Sequence, residues 1–523
     1  MSLDLLAAVR GEPCGPNDPR WKTLADYLEP TRSGDLRFKH ELLRVAAYEG
    51  LPYRHRQELH ARTGAFLEAQ ANPEEGGQLA PVLAFHFHTA RRFDRSWTWA
   101  QRAASDASKK SAFYEAARHY AQALEAARHL DDVSDAEMAE TAERLGDVDE
   151  QLGRFESAVT RFAMARKLRA NHPTVVARMY RKSARVESEL GNHTQALRTV
   201  SRALNYISGV DPAGTDVDIE TERAQLLLVY SINRYFQGKL REAIRFASDA
   251  LAVAQCTNDT RAVAQAHLQL ATFYSDIGDE RQALHQDEAM RWFVELGDDI
   301  GRGKLLANMG IDATDAADWT VALDRFAESA AAFERAGNEV AAWTARNNAS
   351  EMLTDQGHTD EARAILVEAR RVFAAAGQRF NMALAVSGLS RIELRAGNLE
   401  EAERLNEQAL TLCTELGIRP YMLDTEVRRV EWLVFAGRPD EALAKAEELV
   451  VAIEQEEATS GPTGNLLLTL RRFCMWAQLA RDRFDDAAHL GEELVKAAQH
   501  AGAVYEEALG YDALATIAAR IGG

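Results

Sequence analysis

The stretch closest to a catalytic motif is GDDIGRGKLL (297–306). A phosphate-binding loop needs G-x-x-x-x-G-K-[ST], so that backbone N–H groups cradle the phosphates. Here Asp298 stands where the first Gly belongs, and Leu305 follows Lys304. The stretch therefore does not read as a nucleotide site. His86 and His88 flank Phe87. On a helix, residues i and i+2 point about 200° apart, so these two cannot share a metal. His55 and His60 are five apart, which is also poor ligand spacing. No H-E-x-x-H, G-x-S-x-G or EF-hand loop occurs. The pairs Asp298–Asp299 and Asp485–Asp486 lie beside turns, where carboxylates favour helix starts. No catalytic, metal or cofactor site is expected.

Charge and composition narrow the classes further. The 523 residues carry a formal net charge of −19. Residues 1–130 hold 18 Lys+Arg against 16 Asp+Glu, and the remainder holds 43 against 64. So acidic a surface repels phosphate backbones, which argues against a nucleic-acid partner. Cys14, Cys256, Cys413 and Cys474 are scattered without a CxxC pair. They read as reduced, mostly buried thiols of a cytoplasmic protein rather than a zinc site or disulfide framework. No run of apolar residues is long enough to span a membrane.

Internal repetition dominates the rest. Segments such as QLGRFESA (151–158), ELGNHTQA (189–196), DQGHTDEA (355–362), RAGNLEEA (395–402) and FAGRPDEA (435–442) share one pattern. Ten copies end on Ala117, Ala158, Ala196, Ala243, Ala283, Ala322, Ala362, Ala402, Ala442 and Ala487, spaced 38–47 residues apart. Seven of the ten have Gly five residues before that alanine. Each copy predicts a helix, a tight turn at Gly and a second helix. Small residues at fixed offsets let the two helices approach, and large ones such as Phe155, Phe162 or Phe326 fill the layer between neighbours. One hairpin cannot bury both faces, so the units must stack. GVDPAGTD (209–216) and ATSGPTGN (458–465) read as longer loops, and Tyr505–Ile521 as a terminal capping segment.

The small–Gly–aromatic–Ala–Ala pattern resembles the tetratricopeptide repeat, most closely at Gly146, Gly153, Phe155, Ala158, Phe162 and Ala165. In arrays of that family the first helix of each hairpin lines a concave groove. By offset, Glu140, Glu143, Asp147 and Glu150 face inward in one repeat, and Arg178, Arg181 and Arg185 in the next. Two readings stand: salt bridges between repeats, or a charged patch for a partner. Gln265, Lys304, Asn308, Asn347, Asn348 and Arg391 also fall at groove-facing offsets. The resemblance implies that Asn308 and Asn348 clamp the backbone of a bound peptide. Bonding between helices is the alternative.

Residues 1–65 lack the repeat. Trp21–Leu28 suggests a short helix, TRSG (31–34) a turn and Leu36–Phe38 a single short strand. A lone strand makes no sheet, so the segment reads as the remnant of a small domain. LRFKHELLRVAAYEGLPYRHRQELHARTGAFLE (36–68) resembles the winged-helix junction of bacterial signal-transduction ATPases, in the wording of actinobacterial-type adenylate/guanylate cyclases. Val45 departs from that pattern, which often has an acidic residue there. AFHFHTARRFDRSWTWAQRAA (84–104) is similar to the linking helices of the same family. The resemblance implies a sensor arm whose partners include catalytic domains of a larger signalling protein. A free-standing scaffold is the alternative.

The expected fold is thus all-α: a right-handed superhelical solenoid of about ten tetratricopeptide-like hairpins over 97–523, linking helices at 66–96, and a winged-helix-like remnant at 1–65. The expected partner is a protein or peptide in the groove. No cofactor, nucleic acid or membrane is implied.

Overall fold

The computed structural model describes residues 2–521 apart from 16–17, 32–34, 72–75, 111 and 461–464. The described residues form 26 helices and one two-stranded sheet. From residue 76 onward, helices follow one another as stacked hairpins, so the chain is an all-α solenoid of tetratricopeptide-like units. It divides into two compact units, Met1–Val229 and Tyr230–Gly523.

The turns explain the repeated glycines. Gly153, Gly191, Gly238, Gly278, Gly357, Gly397 and Gly437 all have φ between 62° and 84°. A residue with a Cβ is disfavoured in that left-handed region. Each turn closes in the same way; for example, the amide of Arg154 donates to the Asp149 carbonyl at 2.8 Å, and that of His358 to the Leu353 carbonyl at 2.8 Å. These bonds satisfy carbonyls that a helix end would otherwise leave bare. Ala317 and Asp482 hold the same position with φ of 56° and 57°, so the turn persists where Gly is missing. Arg91 makes one further turn of this kind, ahead of the ten copies. A second series, Gly297, Gly337, Gly377, Gly417 and Gly502, turns the chain between hairpins.

Within hairpins, small residues make room for rings. A Cβ on Gly146 would meet the Phe162 ring at 2.5 Å, one on Gly303 the Phe333 ring at 2.9 Å, and one on Gly310 the Phe326 ring at 2.8 Å. In GDDIGRGKLL, Gly301 and Gly303 therefore serve packing and Gly297 the turn, and Asp298 caps the helix Asp299–Asp315 by accepting from the Gly301 amide. Nine of the ten closing alanines are buried. Ala283 is exposed. In its hairpin the layer instead holds a pair of histidines.

Several expectations need correction. The helix expected at Trp21–Leu28 is only Arg20–Thr23. Leu28 instead opens a strand, Leu28–Pro30, that pairs antiparallel with Leu36–Phe38. Arg37 and Glu29 face each other in that register and form an ion pair at 2.6 Å, which stabilises the pairing. Most of the expected turn at 31–34 lies outside the described residues. The N-terminal helix Leu3–Arg10 docks on Tyr53–Gln70, where Arg62 donates to the Val9 carbonyl at 2.9 Å. The cysteines are free, but only Cys413 is buried and Cys256 is exposed.

The loop expected at 209–216 is shorter, since the helix runs on to Val210; it is tied by the Asp211 carboxylate, which accepts from the Asp216 amide at 2.8 Å. The loop expected at 458–465 falls partly on undescribed residues; helices end at Ser460 and resume at Leu466. The terminal segment is a helix, Val504–Ile521, packed on Phe484–Ala501. Among the described residues no helix is long and apolar enough to cross a membrane.

Candidate functional site

The first helices of successive hairpins touch one another and so line a common face. In the N-terminal unit this face is a ladder of charges. Arg178 grips Glu143 with two bonds, at 2.9 and 3.0 Å, and Arg185 grips Glu150 in the same way, at 2.7 and 3.0 Å. Lys182 reaches Asp147 at 2.6 Å and Glu143 at 2.8 Å. Arg181 turns the other way, to Glu222 of the following first helix, at 2.9 Å. Glu140 pairs with Arg144 on its own helix. All three predicted arginines are therefore engaged between repeats. Burial raises the Glu143 carboxyl, yet Arg178 and Lys182 together hold it below the usual range. Burial raises Asp147. Beside the ladder lies a groove of about 470 Å³, lined in part by Glu140, Glu143, Asp147, Arg169 and Arg178.

In the C-terminal unit the face curves inward. Arg428 lies 3.9 Å from Glu351, two repeats away, a reach that only a concave face permits. Lys304 is exposed and makes no ion pair or hydrogen bond among the described residues. Asn308 donates to Thr272 Oγ1 at 2.9 Å, a bond between consecutive first helices. Asn348 is half-buried with no hydrogen bond among the described residues. Asn347 is 8% exposed, and its Oδ1 has no partner among those residues. Arg391 is locked to Asp355 at 3.0 Å, and Arg395 joins at 2.6 Å. Burial works to raise Asp355, but the two guanidinium groups hold it below the usual range. Burial likewise opposes the charge on Arg391, and Asp355 overrides it, keeping that pKa above the usual value. Of the predicted residues in this unit, Lys304 and Asn348 are free on the face, Arg391 and Asn308 are tied within it, and Asn347 is buried.

Three features escaped the sequence reading. Asp276, Asp312 and Asp315 cluster on the first helices Thr260–Ser275 and Asp299–Asp315 or the turn beside them. Burial raises all three; repulsion from Asp312 adds to the rise at Asp276 and Asp315, while hydrogen bonds to Asp312 work against its own. Asp312 accepts from Gln282 and Gln286, at 2.6 and 2.9 Å, and from Ser275. The second feature is a pair of histidines in each unit. The Nδ1 atoms of His60 and His86 are 2.9 Å apart, and those of His267 and His285 2.8 Å. At that distance the two rings share one proton. Burial, then the neighbouring imidazole, lowers His86 to about 4 and His267 to about 4. His86 thus pairs across the hairpin with His60 and not with His88. Third, Tyr505 and Glu506 of the C-terminal helix reach Trp319 and Arg472. Among the described residues, no three His, Cys, Asp or Glu side chains gather as metal ligands do.

No protein-family model matches the chain, and no curated protein matches it. Among solved structures it is similar to the signal transduction ATPase with numerous domains from Pyrococcus horikoshii, a protein with a tetratricopeptide repeat sensor. Identity is 14% over 79% of this chain and 61% of that chain, with a TM-score of 0.42. The chain thus spans less than two thirds of that protein. It is also similar to a Rap protein complexed with competence and sporulation factor, at 14% identity, covering 72% of this chain and 99% of that one, with a TM-score of 0.42. Yeast Tom70 matches at 12% identity over 85% and 97%, with a TM-score of 0.39. At these identities no functional residue is carried over.

Proposed function

We propose that the chain is a non-catalytic binding arm that holds a protein or peptide along the face formed by its first helices. The observation that carries this reading is the concave face of the C-terminal unit, where Lys304 and Asn348 present groups with no partner of their own. An amide both donates and accepts, so it can hold the backbone of an extended segment. An exposed lysine adds attraction for acidic residues of the partner. Function rests on such sites and not on the fold.

The finer reading draws on the junction at 36–68. Its resemblance supports an arm of a bacterial signal-transduction ATPase or nucleotide cyclase, working in the cytoplasm with catalytic domains supplied elsewhere. In that arrangement residues 1–65 form the junction and the hairpins receive the signal.

Selection of peptides from a random display library on the full chain tests the binding reading. Selected peptides should bind Lys304→Ala and Asn348→Ala variants more weakly, by about 1 kcal/mol or more each. Both variants should unfold at the wild-type temperature, because these side chains make no bonds in the free protein. Selection that yields no binders, or binders indifferent to both changes, would contradict the reading.

A further inference from the structure

The first turn of the C-terminal helix reaches far back along the chain. The Tyr505 ring meets the Trp319 ring edge-on, with centroids 5.2 Å apart and planes at 66°. Glu506 beside it is only 6% exposed. Its Oε1 accepts from Thr469 Oγ1 at 3.1 Å and lies 3.5 Å from Arg472 Nη2. A well-made arginine–carboxylate pair has two parallel bonds at about 2.7–2.9 Å. This one has neither. Arg472 Nε and Glu506 Oε2 are both buried without a hydrogen-bond partner among the described residues.

Arg472 is buried, and ring faces supply the rest of its stabilisation in place of a second carboxylate bond. It is 7% exposed, and its guanidinium lies 5.0 Å from the Phe473 ring centroid and 5.3 Å from that of Trp476. An underpaired charge in such surroundings is costly. The neighbouring arginines are already satisfied, since Arg391 and Arg395 both hold Asp355. Glu506 is fixed by its helix and offers the fork a single oxygen at long range. A carboxylate free of that helix could present both.

We propose that Trp319 and Arg472 form a site for a peptide carrying an aromatic residue next to a carboxylate, and that Tyr505–Glu506 fills this site as a built-in competitor. The proposal rests on the reading of the chain as a binding arm and names the partner's chemistry. The aromatic ring meets Trp319 edge-on, as Tyr505 does. The carboxylate takes the fork of Arg472 with two bonds in place of one long one. A partner must displace the helix start before it binds, so occupancy of the site and release of the helix are one event.

The probe is a labelled, end-capped peptide of residues 503–508, Ala-Val-Tyr-Glu-Glu-Ala. The full chain with Tyr505→Ala and Glu506→Ala should bind it at least tenfold more tightly than wild type does. Adding Arg472→Ala to that variant should abolish binding. No binding to the double variant, or equal binding to it and to wild type, would overturn the proposal. A measurement on wild type does not depend on how well the variant folds. Millimolar peptide should speed hydrogen exchange of the amides of 504–510 and leave those of 399–416 unchanged. Unchanged exchange at 504–510 would also overturn it. If display-selected peptides still bind through Lys304 and Asn348 while this peptide fails, the competitor falls and the binding arm stands.

Discussion

Arg185 and Arg404 show how differently two arginines of similar appearance act. Arg404 pairs with Glu401 one turn away on a wet surface. Arg185 pairs with Glu150 of the preceding repeat, which is buried. Arg185→Ala leaves that carboxylate uncompensated and should cost about 1–3 kcal/mol of unfolding free energy. Arg404→Ala should leave the melting temperature unchanged. Equal effects in thermal melts would show that the ladder is ornamental. The histidine pairs make a second test. His267 is held neutral, with its pKa lowered to about 4 by burial and then by His285; Glu288 opposes this and Arg291 adds to it. Burial first, and then Arg281, lowers His285, against Glu288; its ring stacks on Tyr274. An unfolded histidine titrates near 6.5, so folding disfavours the proton. The stability held in this pair is complete above pH 6.5 and is lost as pH falls toward 4. The stability difference between wild type and His267→Gln should therefore shrink by about 1–3 kcal/mol across that window. A difference that stays constant with pH would contradict a shared-proton pair. The ladder was legible because its members recur at one repeat length. The histidine pairs were not, since each joins two helices across a turn and no spacing announces it.

At the scale of helices and turns, sequence and geometry agree most closely where chirality decides. A left-handed turn wants Gly, so Ala317 sits under strain that its neighbours avoid. Ala317→Gly should raise stability by about 0.5–1 kcal/mol. Gly310→Ala should do the reverse: better helix propensity is outweighed by a clash with the Phe326 ring, at about 1–3 kcal/mol. Chemical denaturation of both variants checks the pair, and a Gly310→Ala protein as stable as wild type would refute the packing account. The first glycine series was legible from its fixed offset to an alanine. Of the second, Gly297 was expected at a repeat junction, but the series on to Gly502 was not drawn from it. The strand Leu28–Pro30 was missed because the helix expected at Trp21–Leu28 ran into its first residue, and no local pattern reveals its pairing with Leu36–Phe38.

For the molecule as a whole, repetition made the architecture readable, while the site was readable only in part. Offsets from a turn place a residue on a face, but they do not say whether a neighbour already holds it. Lys304 and Asn348 are free, whereas Asn308 and Arg391 sit at similar offsets and are tied to Thr272 and Asp355. The closing contact between Tyr505 and Trp319 had no signal at all, because it depends on how curvature accumulates over many repeats. The central claim is that the face of the first helices holds the partner. Hydrogen exchange of the full chain with and without a display-selected peptide tests it most directly. Binding should slow exchange in the first helices Asp299–Asp315 and Glu339–Asp355 and leave the second helices Trp319–Arg335 and Thr359–Ala375 unchanged. Protection confined to the second helices would place the partner on the opposite face and contradict the account.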